Sequence, residues 1–182
     1  VNGGLFEAEI ELPTFTASSR KIIIESGKLD WSSINPDIFG SMIQAVVHPG
    51  QRENLGMHYT SVPNIMKVIE PLFLNELYEE LESSKNNIRK ITKLRERISK
   101  IKIFDPACGS GNFLIISYKE LCKLEIKILQ ILNQDNNLAS LTGEDGFVMT
   151  TQSSVTLNNF YGIEIDDFAS QIARLSLYLA QH

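Results

Sequence analysis

The chain has 182 residues, 43% of them hydrophobic and 21% charged, and a formal net charge of -5. That apolar share is enough for one substantial core, alone or with a helical extension, and it excludes a disordered polymer; the acidic balance excludes a general attraction to nucleic acid, so such a contact needs a local basic patch. Two cysteines, Cys108 and Cys122, cannot form a metal site by themselves and read as reduced, cytosolic thiols, while no signal peptide and no membrane-length apolar run is visible.

Asn2-Gly3-Gly4 signals a turn, and the residues up to Lys28 carry little periodicity. Lys21-Ile-Ile-Ile-Glu25 fits strand or helix, and the serines at 18 and 19 favour a capped helix. From Asp37 to Val47 the apolar residues recur at helical spacing behind Pro36, and Trp31 and Phe39 are expected as core anchors. Leu55 to Asn64 leads into a helix from about Pro63, with Thr60 and Ser61 where hydroxyls cap free amides. Leu74 to Lys100 is helical in character, with Leu77, Leu81, Ile88, Ile91, Leu94 and Ile98 as its buried stripe. Lys85, Arg89, Lys90, Lys93, Arg95, Arg97 and Lys100 make its second half basic: a solvated face is the plain reading, contact with a nucleic-acid backbone the sharper one.

Ile101 to Phe104 reads as a short buried strand, stopped by Asp105-Pro106 because proline cannot donate to a sheet ladder. Gly109 and Gly111 then allow a tight turn and close approach of a ligand, and Asn112 opens a helix through Leu114, Ile115, Tyr118, Leu121 and Cys122 to Ile131 or Leu132. Strand, glycine turn and helix form a cofactor-binding corner. A phosphate-cradling loop is disfavoured because Asn-Phe, not Lys-Ser/Thr, follows Gly111; a dinucleotide site is disfavoured because Leu114 stands where a third glycine is needed. The residues from Leu138 to Thr156 read as an excursion, with a short helix near 148–153. Phe160, Tyr161, Ile163 and Ile165 then form a second strand, and Glu164 falls near its carboxyl edge, where ligands bind in parallel sheets. Asp166 reads as a cap for a helix over 168–181 or as a further polar neighbour of the ligand, and the cap is favoured.

Asp105-Pro-Ala-Cys-Gly-Ser-Gly-Asn-Phe-Leu114 closely resembles motif I of the amino-methylating DNA methyltransferases that use S-adenosylmethionine. His58-Tyr-Thr-Ser61 is similar to their motif X, and Gly162-Ile-Glu-Ile-Asp166 to motif II. Together with Asn2-Gly-Gly-Leu-Phe6, Ile38-Phe-Gly-Ser41 and Pro71-Leu-Phe-Leu74, their order resembles the MmeI-like, type IIL restriction and modification proteins. The resemblance implies an α/β chain holding part of a Rossmann-like methyltransferase fold, preceded by a helical region. Residues 1–54 would be a mostly helical connector and 55–182 the first part of the methyltransferase domain.

It further implies that Tyr59, Thr60 and Ser61 help hold the methionine end of S-adenosylmethionine, and that Asp105, Ala107, Cys108, Gly109, Gly111, Asn112 and Phe113 bind the same cofactor, Asp105 and the helix start at Asn112 facing its methionine half. Glu164 would take the ribose and Ile165 pack on the adenine. No metal is implied. The family's Asn-Pro-Pro-aromatic motif, which holds a flipped adenine, does not occur here, so no catalytic residue is assigned and the chain is not expected to methylate DNA unaided. Because it starts at Val1 and stops at His182 inside a predicted helix, the chain is expected to be part of a longer, cytoplasmic polypeptide whose partner is double-stranded DNA. Half a parallel sheet exposes its edges, so self-association is expected as well. Two other readings stay open: a related methyltransferase acting on protein glutamine or RNA, and a non-catalytic interaction module with a vestigial nucleotide fold.

Overall fold

The computed structural model describes residues 14–30, 38, 60–134 and 153–181. Helix α1 (Ala17–Ser26) begins where the Thr16 hydroxyl accepts the Ser19 amide at 3.1 Å, so the cap is Thr16 and not the serines at 18 and 19. Ile22, Ile23 and Ile24 on it are exposed. The helix expected over 37–47 lies outside the described residues except for Ile38, as do Trp31 and Phe39.

Helix α2 (Val62–Ile69) starts with a proline in its first turn, where the missing N–H costs nothing. It runs into a π-helical turn, Glu70–Leu74, in which the Asn75 amide reaches back to the Glu70 carbonyl. Pro71 lacks the donor that regular winding would use, and the wider turn absorbs that loss. Helix α3 (Asn75–Ser84) follows, and the expected continuous helical stretch breaks at Lys85-Asn86-Asn87. There the Asn87 side chain accepts the Lys90 amide at 3.1 Å and caps α4 (Ile88–Ser99). Strand β1 (Ile103–Asp105) leads through a turn to α5 (Asn112–Gln134). A 3-10 turn (Leu157–Asn159), strand β2 (Phe160–Gly162) and α6 (Asp167–Gln181) complete a mixed, helix-rich architecture.

The core forms where three helices bring their apolar stripes together. Leu77 and Leu81 of α3, Ile91, Leu94 and Ile98 of α4, and Leu121, Leu124 and Ile128 of α5 are all buried in one cluster, as the helical spacing requires. Only Ile88 of the expected stripe sits at its margin. Arg97 bonds Glu76 at 2.6 Å and also Glu80, tying α4 to α3; these hydrogen bonds hold its guanidinium still more firmly protonated, although exposed pairs contribute little to stability. Arg89, Lys90, Lys93 and Lys100 are exposed, so the plain reading of the basic run, a solvated face, describes their position.

Glu125 of α5 is different, because its side chain is only 3% exposed. It accepts bonds from Arg95 Nε at 3.1 Å, Ser153 Oγ at 2.5 Å, Ser154 Oγ at 2.5 Å and the Ser154 amide at 2.9 Å. Burial alone would push this carboxyl up; the donors from Ser153, Ser154 and Arg95 outweigh burial and hold it below the ordinary carboxylate range.

The two strands pair in parallel, Ile103 with Phe160, Phe104 with Tyr161 and Asp105 with Gly162. Side chains alternate along a strand, so with α5 packed on one side Ile103 is half-buried and Phe104, at 59%, is exposed. The expectation that β1 is buried throughout therefore fails at Phe104. Strand β2 is also shorter than expected, ending at Gly162, with Ile163 and Ile165 beyond it. On the buried side the Tyr118 ring meets Phe160 edge-on at 5.5 Å and 80°, fixing α5 to β2.

Leu121→Ala, in the middle of this core, is expected to lower the unfolding free energy by about 2–5 kcal/mol, read by urea denaturation. Acid should act through Glu125. Its folded pKa is lowered, so its contribution is complete above the ordinary carboxylate value and is lost as pH falls through the folded one. Urea midpoints measured downward from pH 5 should fall more steeply in the parent than in Glu125→Gln.

Candidate cofactor site

At the carboxyl end of β1, Pro106 ends the ladder and the chain folds back on itself. The Asp105 carboxylate accepts the Ala107 amide at 3.1 Å, Cys108 N–H reaches the Ile163 carbonyl at 3.0 Å, and Ile163 N–H reaches the Asp105 carbonyl at 3.0 Å. The turn is thus stitched to the chain leaving β2. Gly111 N–H donates to the Cys108 carbonyl at 2.7 Å and its own carbonyl accepts the Ile115 amide, which starts α5. This winding requires φ of 53° at Gly109 and 84° at Gly111, in the region that glycine alone enters freely.

Glu164 closes the site from the segment just beyond β2. Its Oε2 accepts Gly109 N–H at 2.7 Å and its Oε1 accepts Asp166 N–H at 2.9 Å. Each oxygen retains a further lone pair for a hydroxyl donor. Asp166 in turn accepts the Ala169 amide at 2.7 Å and caps α6, as the sequence indicates.

The three glycines near this corner serve different ends. A Cβ on Gly109 would meet nothing within 4 Å, so the turn has an open flank. One on Gly111 would meet the Ala173 Cβ at 3.0 Å, so this glycine lets α6 lie against the start of α5. One on Gly162 would fall 2.6 Å from Cys108 Sγ and 3.2 Å from Leu114 Cδ1. The packing roles of Gly162 and Ala173 were not anticipated; a glycine at the end of an apolar strand was the available signal for the first.

Asp105, Ala107, Cys108, Gly109, Gly111 and Glu164 therefore meet at one sheet edge. Ile165 stands beside them and is 83% exposed. Phe113 instead packs against the cluster of Ile65, Ile69, Leu74 and Ile116, joining α2 to the first turn of α5. Thr60 and Ser61 are half-buried at the head of α2, and Ser61 precedes its first turn without a side-chain capping bond, so the expected hydroxyl cap is not formed there. Asn112 is buried, and its Oδ1 has no hydrogen-bond partner among the described residues. Tyr59 lies outside the described residues. Among those described, no cluster of side chains suits a metal ion.

The Cys108 thiol is pushed up to about 11, first by burial and then by the negative Asp105 and Glu164. It is a packing group, not a nucleophile. From its ordinary value of 9.0 that rise leaves about 100-fold less thiolate at pH 8, so iodoacetamide should label Cys108 about 100-fold more slowly than an unfolded control. The sign also sets an alkaline limit: with the folded pKa raised, stability is complete below pH 9 and declines as pH rises from there towards 11. Gly162→Ala should displace the Cys108 turn and cost about 1–3 kcal/mol in urea denaturation.

The family model described as MmeI, DNA-methyltransferase domain, matches residues 81–182. DNA methyltransferase A of Bacillus subtilis (strain 168) is 56% identical over 184 residues, an alignment spanning 100% of this chain and 20% of that protein. The solved structure of the type IIL restriction-modification enzyme MmeI in complex with DNA superposes with a TM-score of 0.79 at 40% identity, covering 98% of this chain and 23% of that one. This chain thus spans roughly a fifth of the length of either relative. Matched by the family model over the larger part of its length, it belongs to the MmeI DNA-methyltransferase domain family.

Proposed function

We propose that the corner between β1, α5 and β2 binds S-adenosylmethionine, and that the chain is the cofactor-holding part of a Rossmann-like, adenine-N6 DNA methyltransferase in a restriction-modification enzyme. The observation that carries this reading is the 2.7 Å bond from Gly109 N–H to Glu164, which brings an open glycine turn and a carboxylate from just beyond the neighbouring strand to one edge. The residues suit the ligand's chemistry. Glu164 has lone pairs left for the two ribose hydroxyls, and Asp105, whose Oδ1 is engaged by the Ala107 amide, offers negative charge towards the ammonium and sulfonium of the methionine half. Exposed Ile165 gives the adenine an apolar surface, and the open flank of Gly109 admits the ligand against the backbone. When bound, the cofactor supplies a methyl group on a sulfonium.

What this chain's residues do is hold and orient. Thr60 and Ser61, on the α2 head that packs through Phe113 onto α5, border the methionine side, with Tyr59 preceding them. Residues 55–182 then form the first part of the methyltransferase domain and 1–54 a helical connector. The base-holding Asn-Pro-Pro-aromatic motif is absent from the sequence, so this chain alone does not transfer the methyl group. Double-stranded DNA is the partner of the complete enzyme, in keeping with a relative named DNA methyltransferase A and a structural neighbour described in complex with DNA. That kinship favours DNA over protein glutamine or RNA as substrate.

Titration calorimetry tests the site. The parent should bind S-adenosylmethionine, and Asp105→Ala and Glu164→Ala should each weaken binding by about tenfold or more, the usual cost of a hydrogen-bonded charged contact. A parent that gives no binding heat at millimolar ligand, with its fold intact by circular dichroism, would refute the proposal.

A further inference from the structure

The carboxylate of Glu125 lies in the core, away from the glycine turn, yet three of its four hydrogen bonds come from Ser153 and Ser154, where the chain returns towards β2. The fourth comes from Arg95 of α4. A carboxylate that merely needed satisfying could take donors from its own helix or from water; this one draws on a distant segment and on a neighbouring helix. Val155, next along, is 3% exposed, and Asn159 Nδ2 donates to the Ser99 carbonyl at 2.7 Å at the end of α4. Two ties therefore fasten the return segment before β2 begins. Helix α5 carries Glu125 in its middle and the glycine turn at its head, and α-helical backbone between them is stiff. The span from Ser154 to Glu164 is consequently anchored to the rod that follows the glycine turn Glu164 must meet.

We infer that Glu125 is a positioning residue: by clamping Ser153 and Ser154 to α5 it sets the register of β2, and so places the Glu164 carboxylate on the Gly109 amide. Its relevance to ligand binding rests on the cofactor reading above, while its effect on Glu164 does not. Setting register is an attested use of a buried charge whose net contribution to stability is small.

Amide hydrogen exchange followed by NMR reads the effect directly, because the Gly109 and Asp166 amides both donate to Glu164. In Glu125→Gln these two amides should exchange about tenfold faster, while Leu121 and Leu124 within α5 keep their protection. A merely structural role would loosen α4 and α5 with them, and that pattern, or unchanged Gly109 and Asp166 exchange, would overturn the inference. Should Glu125→Gln not fold, the Ser153→Ala, Ser154→Ala double variant, which keeps Glu125 and Arg95, must show the same selective loosening. Calorimetry with S-adenosylmethionine on the same proteins keeps the two proposals apart. Selective loosening in the variants, where the parent binds no ligand, supports the clamp and removes the cofactor reading; ligand binding by the parent with no loosening in the variants does the reverse.

Discussion

The parallel pairing of two three-residue strands is the constraint on which the rest of the site depends. Three register pairs hold β1 to β2, and a sheet this narrow has little stability of its own. It persists because the backbone bonds do not stop at the strand ends. Ile163 N–H to the Asp105 carbonyl and Cys108 N–H to the Ile163 carbonyl extend the ladder into the turn, and Gly109 N–H to Glu164 adds a side-chain rung. The same bonds that prolong the sheet bring the acidic groups to one edge. Structure and site are in this sense a single set of hydrogen bonds.

Packing reinforces that edge from below. Gly162 lies where any side chain would strike Cys108 and Leu114, and Gly111 where one would strike Ala173. The turn is thus held against β2 on one side and α6 on the other, and conformational freedom at Gly109 and Gly111 is spent on a single arrangement. Cys108, in the turn with its Sγ beside Gly162 and near two carboxylates, has its thiol pKa raised by that position.

Much of this was legible in the sequence, and the limits have physical causes. The stripe from Leu77 to Ile98 follows helical spacing closely enough to identify its buried members, and Asp105, the glycine turn and Glu164 fall at one edge because a strand-turn-helix followed by a strand leaves few other placements. The break at Lys85-Asn86-Asn87 was hidden because periodicity on either side continues in phase, so only the capping Asn87 marks it. The exposure of Phe104 could not be read from an apolar run, which says nothing about how many faces of a sheet are covered. Thr16 was missed as a cap because the serines after it have the same chemistry, and which hydroxyl lies one residue before the helix depends on where the helix starts.

Glu125 gave no local signal at all. It stands on a helix of ordinary composition, and a glutamate at such a place reads as surface; its donors arrive from Arg95 and from serines beyond the 135–152 stretch, a relation visible only in three dimensions. Loop-closure entropy explains why such a tie has value. A long connection between α5 and β2 leaves many registers accessible, and each fixed point close to the strand removes most of them. Two ties, Glu125 to Ser153 and Ser154 and then Asn159 to Ser99, shorten the free span to a few residues before the pairing starts.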